Sequence, residues 1–145
     1  MADTNAAYLL YQMENREKIN NKRLHLWGKY NDELKELQKD DFIKLPKIPD
    51  YAKHNGHIYF IKVKSNEIRR KLIEYLKEND IMAVFHYVPL HTSPAGIKYG
   101  IFHGEDKYTT VESERVLRLP MYYDLKECEV EYICKRIKEF FKKYI

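Results

Sequence analysis

HIYFIKVKSNEIRRKLIEYLKENDIMAVFH, residues His57 to His86, decides the fold. From His57 to Lys64 the chain alternates, with Ile58, Phe60 and Lys62 on one face and Tyr59, Ile61 and Val63 on the other. Both faces are largely apolar, so the segment reads as a central strand. Ser65 stands where a helix cap belongs, ahead of Ile68, Leu72, Ile73 and Leu76 at helical spacing, and Asn79 tolerates the left-handed conformation that closes a helix. The apolar run from Ile81 to His86 follows at once and is stopped at Pro89, as a buried strand would be. The result is a strand, helix, strand unit.

Working outward, YVPLHTSPAGIKYGIFHG (Tyr87–Gly104) is a long loop, denser in His, Tyr, Thr and Ser than a connector needs, which marks a binding surface. Thr109 and Glu112 have capping-box spacing and open a short helix through Arg115. Val116 to Leu119 alternates up to Pro120 and gives a third strand, and Asp124 with Glu127 opens a last helix. That helix carries an apolar stripe of Val130, Ile133, Cys134, Ile137, Phe140, Phe141 and Tyr144. On the other side, Asp3 or Thr4 caps a helical stretch running to Leu37, with a bend expected between Glu14 and Asn21. Residues 38–56, broken by Pro46, Pro49 and Gly56, form a connector pinned down by Phe42, Ile43 and Leu45. The expected architecture is α+β: a small, mainly antiparallel three-stranded sheet covered by helices.

Composition narrows the function. A chain of 145 residues is one domain, able to bury roughly two-thirds of its unfolded surface. Its 26 Lys and Arg are interspersed with 22 Asp and Glu, which describes a solvated surface of mixed sign and not a nucleic-acid footprint. Cys128 and Cys134 lie six apart on one helix, the wrong distance and angle for a disulfide or a metal pair. No apolar run approaches the ~20 residues a membrane span needs, and the start has no signal-peptide pattern, so the expected location is cytoplasmic.

His86, His91 and His103 are spaced at five and twelve residues with no cysteine among them, a poor zinc pattern. No nucleophile-elbow motif or glycine-rich phosphate loop is present, so an autonomous hydrolase or nucleotide enzyme is not supported. His86 and Tyr87, at a strand end, suit either packing or ligand contact. His91, between prolines on the loop, is harder to explain as core. Tyr99, His103 and Tyr108 are weaker candidates, and Arg115 is expected to pair with Glu112 or Glu114.

The runs HYVPLHTSPAG (86–96), FHGEDKYTTVESERVLRLPMYY (102–123) and NAAYLLYQMENREKINNKRLHLW (5–27) closely resemble the C-terminal part of the pyridoxal-phosphate-dependent sugar-nucleotide aminotransferases of the DegT and StrS type. Within that family the similarity is greatest to the enzymes that aminate dTDP-4-keto-6-deoxyglucose to dTDP-4-amino-4,6-dideoxygalactose. The resemblance implies the C-terminal small domain of a fold-type I aminotransferase over 1–145: a helical lead-in (1–37), the connector (38–56) and an α/β core (57–145). It implies that Tyr87, His91 and His86 help shape the sugar-nucleotide site, with glutamate as amino donor and a product for bacterial lipopolysaccharide and other cell-surface polysaccharide.

The cofactor lysine, the acidic partner of the pyridine nitrogen and the phosphate loop of such enzymes have no counterpart in these residues. The chain therefore reads as a fragment whose large domain is absent, not active alone, with no catalytic residue and no bound pyridoxal phosphate of its own. The nearly all-apolar AAYLL (6–10) is expected to be exposed and to mediate a homo-oligomer. The alternative is a stand-alone, non-catalytic binding or interaction module that keeps the fold.

Overall fold

The computed structural model describes residues 2–144. Two N-terminal helices, α1 (Asp3–Glu14) and α2 (Arg16–Lys39), meet at Asn15. The break falls inside the polar stretch where a bend is expected, and it is mild: Asn15 N–H still donates to Tyr11 C=O at 3.3 Å, and Ile19 N–H to Asn15 C=O at 3.1 Å. Neither Asp3 nor Thr4 caps α1. Ala2 occupies that position and Asp3 already lies in the first turn, where a carboxylate suits the helix dipole.

The connector contains a strand that the sequence does not announce. β1 (Ile43–Lys44) pairs antiparallel with β2 (Tyr59–Val63), so the sheet has four strands and not three. Ile43 opposite Val63 explains it, since both are buried, and the pairing makes β2 an interior strand with β1 as the sheet edge. Next come α3 (Asn66–Glu78) and β3 (Val84–Phe85). Ahead of β4 (Val116–Leu119), the long loop holds a 3-10 turn (Leu90–Thr92), α4 (Pro94–Tyr99) and α5 (Thr109–Arg115). The chain closes with α6 (Glu127–Tyr144).

Sheet order is β1-β2-β4-β3 with every pairing antiparallel. β2 and β3, consecutive in the strand, helix, strand unit, are therefore held apart by β4, which arrives last. β2 is central, as its two apolar faces suggest. Its inward residues Tyr59, Ile61 and Val63 are buried, while Phe60 and Lys62 on the other face are only half-covered. β3 corrects the expectation of a buried strand over Ile81–His86. It pairs over two residues only, Val84 with Arg118 and Phe85 with Leu117, and as an edge strand it leaves them 43% and 51% exposed. Ile81 and Ala83, just before it, are the buried members of that run.

The core lies between the inward sheet face and the three long helices α2, α3 and α6. Tyr30 of α2 stacks on Tyr59 with ring centroids 4.8 Å apart, and its hydroxyl donates to the Pro120 carbonyl at 2.9 Å. Six residues of the α6 stripe, Val130, Ile133, Cys134, Ile137, Phe140 and Phe141, are buried, while Tyr144 at its end is exposed. Ser65 caps α3 as expected, its Oγ accepting from Ile68 N–H at 3.2 Å. The left-handed residue after α3 is Asp80 (φ 60°), one position beyond Asn79. At α6, Glu129 and not the Asp124/Glu127 pair supplies the cap, accepting from Lys126 N–H at 2.7 Å. No described helix is long and apolar enough to cross a membrane.

Candidate functional site

The loop between β3 and β4 is built on its own hydrogen bonds. Tyr87 takes a positive φ of 59° directly after His86, and this turns the chain out of β3. Pro89 leads into the 3-10 turn, and Ser93 ties it to α4: its Oγ donates to Leu90 C=O at 2.7 Å and accepts from Gly96 N–H at 3.0 Å. Gly96 is required by this closure. A Cβ there would lie 1.7 Å from the Leu90 carbonyl oxygen, well inside van der Waals contact. The turn and α4 enclose an open hollow of about 670 Å³, walled by Leu90, His91, Ala95, Ile97, Tyr99 and Phe102.

His91 is fixed on this wall from two sides. Its ring stacks on Phe102, with centroids 4.4 Å apart, and its Nε2 lies 2.7 Å from Asp106 Oδ2. The pair is well shielded, with side chains 18% and 19% exposed. Asp106 sits ahead of α5 and caps it, accepting from Thr109 N–H at 2.9 Å and from the Thr110 N–H and hydroxyl. This corrects the capping-box expectation at Thr109, because Glu112 is turned instead toward Lys62 and Arg115. The Thr110 hydroxyl first, then His91, holds the Asp106 carboxyl down to about 2. Asp106 and Thr110 are site residues that the sequence reading passed over. Their signal was Asp106 standing three residues before Thr109, the spacing at which a side chain caps a helix.

The other candidates are distributed around the hollow. Tyr99 joins the wall, whereas His86 and Tyr87, which precede it in the chain, are not part of the lining, and their rings lie 4.4 Å apart. Tyr87 is exposed, and His86 carries a buried Nδ1 with no protein partner among the described residues. His103 and Tyr108 are exposed on the return of the loop. Arg115 pairs with Glu112 at 3.6 Å and donates from Nε to the Val63 carbonyl at 2.8 Å.

The residues present do not fit a pyridoxal phosphate cradle. No charged side chain among the described residues is buried, so no lysine sits in the apolar pocket that would make it a nucleophile. The shielded carboxylates are already committed: Asp106 to His91 and Thr110, Glu112 to Lys62 and Arg115, and Glu33 to Lys138. Cys134 is no nucleophile either, since burial pushes its thiol up to about 12.

A four-stranded antiparallel sheet with β4 inserted between β2 and β3, under three helices, is a fold this chain shares with aminotransferases of solved structure. It superposes on a sugar aminotransferase of Streptococcus pneumoniae in its PLP form with a TM-score of 0.83 at 22% identity, covering 100% of this chain and 37% of that one. S. venezuelae DesV gives 0.82 at 22% identity over 97% of this chain and 36% of its own. A DegT/DnrJ/EryC1/StrS aminotransferase from Brucella abortus gives 0.74 at 26% identity over 95% and 35%. The family model matches residues 1–138, and the chain belongs to the DegT/DnrJ/EryC1/StrS aminotransferase family. Among curated relatives, an uncharacterized protein of Methanocaldococcus jannaschii is 27% identical over 96% of this chain, and a pleiotropic regulatory protein of Geobacillus stearothermophilus 30% identical over 72%. The chain spans about a third of the length of these relatives, 36% and 27% respectively.

Proposed function

We propose that residues 1–145 act as the small, substrate-side domain of a pyridoxal-phosphate-dependent sugar-nucleotide aminotransferase, working in the bacterial cytoplasm on dTDP-4-keto-6-deoxyglucose with glutamate as amino donor. The observation that carries the reading is His91, braced by Asp106 and Phe102 on the wall of an open hollow, in a chain whose family membership covers residues 1–138. The hollow suits a deoxysugar. Leu90, Ile97 and Phe102 offer apolar surface to C–H faces and a methyl group, and the imidazole offers the polar contact that fixes orientation. The lining contains no Lys or Arg, so the hollow offers the diphosphate no side-chain cation. Tyr87 and His86, which the family resemblance implicates, would contact the sugar nucleotide outside this hollow, since neither lines it.

In the complete enzyme the cofactor carries the amino group between donor and keto sugar. The contribution of this chain is positioning: it holds the sugar carbon in reach and keeps water off one face of it. Its apolar lead-in helix α1 supplies surface for assembly into a homo-oligomer, and the sugar amine it helps to make serves cell-surface polysaccharide.

Calorimetric titration of the chain with dTDP-glucose tests the reading. We expect weak binding that His91→Ala lowers at least tenfold. Binding that His91→Ala leaves unchanged would move the site off this hollow, and no binding even after adding the cofactor-bearing portion of a relative would favour a non-catalytic interaction module.

A further inference from the structure

Asp106 has more partners than a helix cap needs. Its carboxylate takes N–H groups from Thr109 and Thr110, the Thr110 hydroxyl and the His91 ring. Carboxylate oxygens ringed by donors are acceptors only. Thr110 has one hydroxyl proton, and it is directed to Asp106 Oδ2. The two groups that approach His91 Nε2 are Asp106 Oδ2 at 2.7 Å and Thr110 Oγ1 at 3.4 Å, and neither has a proton to offer it. Nε2 must therefore be the donor. In a neutral imidazole that leaves the lone pair on the other nitrogen.

We propose that Asp106 is a positioning residue: it fixes neutral His91 as the Nε2–H tautomer and makes Nδ1 the atom through which the ring accepts a hydrogen bond from a ligand hydroxyl. The ligand half of this proposal rests on the function proposed above, while the tautomer half stands on the protein alone. Thr110 supports the arrangement by occupying the carboxylate edge next to Nε2, and Phe102 blocks the ring from rotating out of it. The chemical consequence is selective. A ring locked this way serves a hydroxyl donor and gives no hydrogen bond to a phosphate oxygen while it is neutral.

The two-bond 15N–1H correlation of the His91 imidazole, recorded on the 145-residue chain at a pH where the ring is neutral, decides the matter. The expected spectrum shows protonated Nε2 and unprotonated Nδ1 in the wild type. In Asp106→Asn, whose side-chain oxygen can still cap α5, the preference should relax to a mixture of tautomers, with Thr109 and Thr110 amide positions reporting that the helix start survives. A wild-type ring protonated on Nδ1 overturns the proposal whatever the variant does. So does an unchanged tautomer in a folded Asp106→Asn chain. If that variant loses the α5 start, Thr110→Val provides the control: it keeps the carboxylate and must keep the Nε2–H form. Adding dTDP-glucose separates the two halves. A ring fixed as Nε2–H whose Nδ1 resonance ignores the sugar nucleotide defeats the substrate reading and leaves the positioning role intact.

Discussion

Asp106 gathers more hydrogen bonds than any other carboxylate described here, and its titration should report the order of the loop. Its carboxyl is held below its ordinary 3.8, to about 2, by the Thr110 hydroxyl and then by His91. A depressed folded-state value means that the interaction contributes in full above the unfolded value and is lost as pH falls through the folded one. We therefore expect Thr109 and Thr110 amide resonances, and their protection from exchange, to shift between about pH 4 and pH 2. A flat profile across that window would show that the carboxylate is not the group that orders α5. The reason Asp106 was hard to see in the sequence is local. Thr109 and Glu112 satisfy a capping-box pattern within four residues, but Lys62 on β2 and Arg115 draw Glu112 away. Gly96 is a similar case, since only the returning Leu90 carbonyl shows why no side chain fits there.

At the scale of elements, the long amphipathic segments were legible because their burial follows from periodicity alone. The Ser65 cap and the α6 stripe are where the sequence places them. Replacing Ser65 with Ala should remove the bond to Ile68 N–H and cost about 1 kcal/mol in urea-induced unfolding, with α3 otherwise intact. A change under ~0.2 kcal/mol would mean that water replaces the hydroxyl without penalty. The short strands were not legible for the opposite reason. Two residues of β1 or β3 carry no period, and what makes them strands is the partner across the sheet: Val63 for Ile43, Leu117 for Phe85. Ile81 and Ala83 look like strand by composition yet are buried outside any pairing, because the chain is still leaving α3.

For the molecule as a whole, α1 stands apart. None of its residues is buried, and Tyr8, Leu10 and Tyr11 are each at least 60% exposed, so it adds little to the core and much to the apolar surface. Deleting residues 1–14 should shift the unfolding free energy by less than ~0.5 kcal/mol while sharply reducing any concentration-dependent association seen by sedimentation. A large loss of stability would show that α1 is integral to the folded domain. A helix start apolar on all sides is either fully buried or without its partner; the family resemblance points to the second, and the structure leaves α1 exposed. The order of strands in the sheet was not foreseeable, because nothing in the spacing of residues says that β4 inserts between β2 and β3.

That insertion has a consequence during synthesis. β3 leaves the ribosome with no neighbour to pair with, since among the described residues its partner is the strand that begins at Val116. At about 5–20 residues per second, the Val84–Phe85 edge waits for seconds, unpaired, until β4 emerges. The hollow does not share that wait: its turn, α4 and the Asp106 brace bond among residues 90–110, so the binding wall can take shape before the sheet edge that carries it is closed.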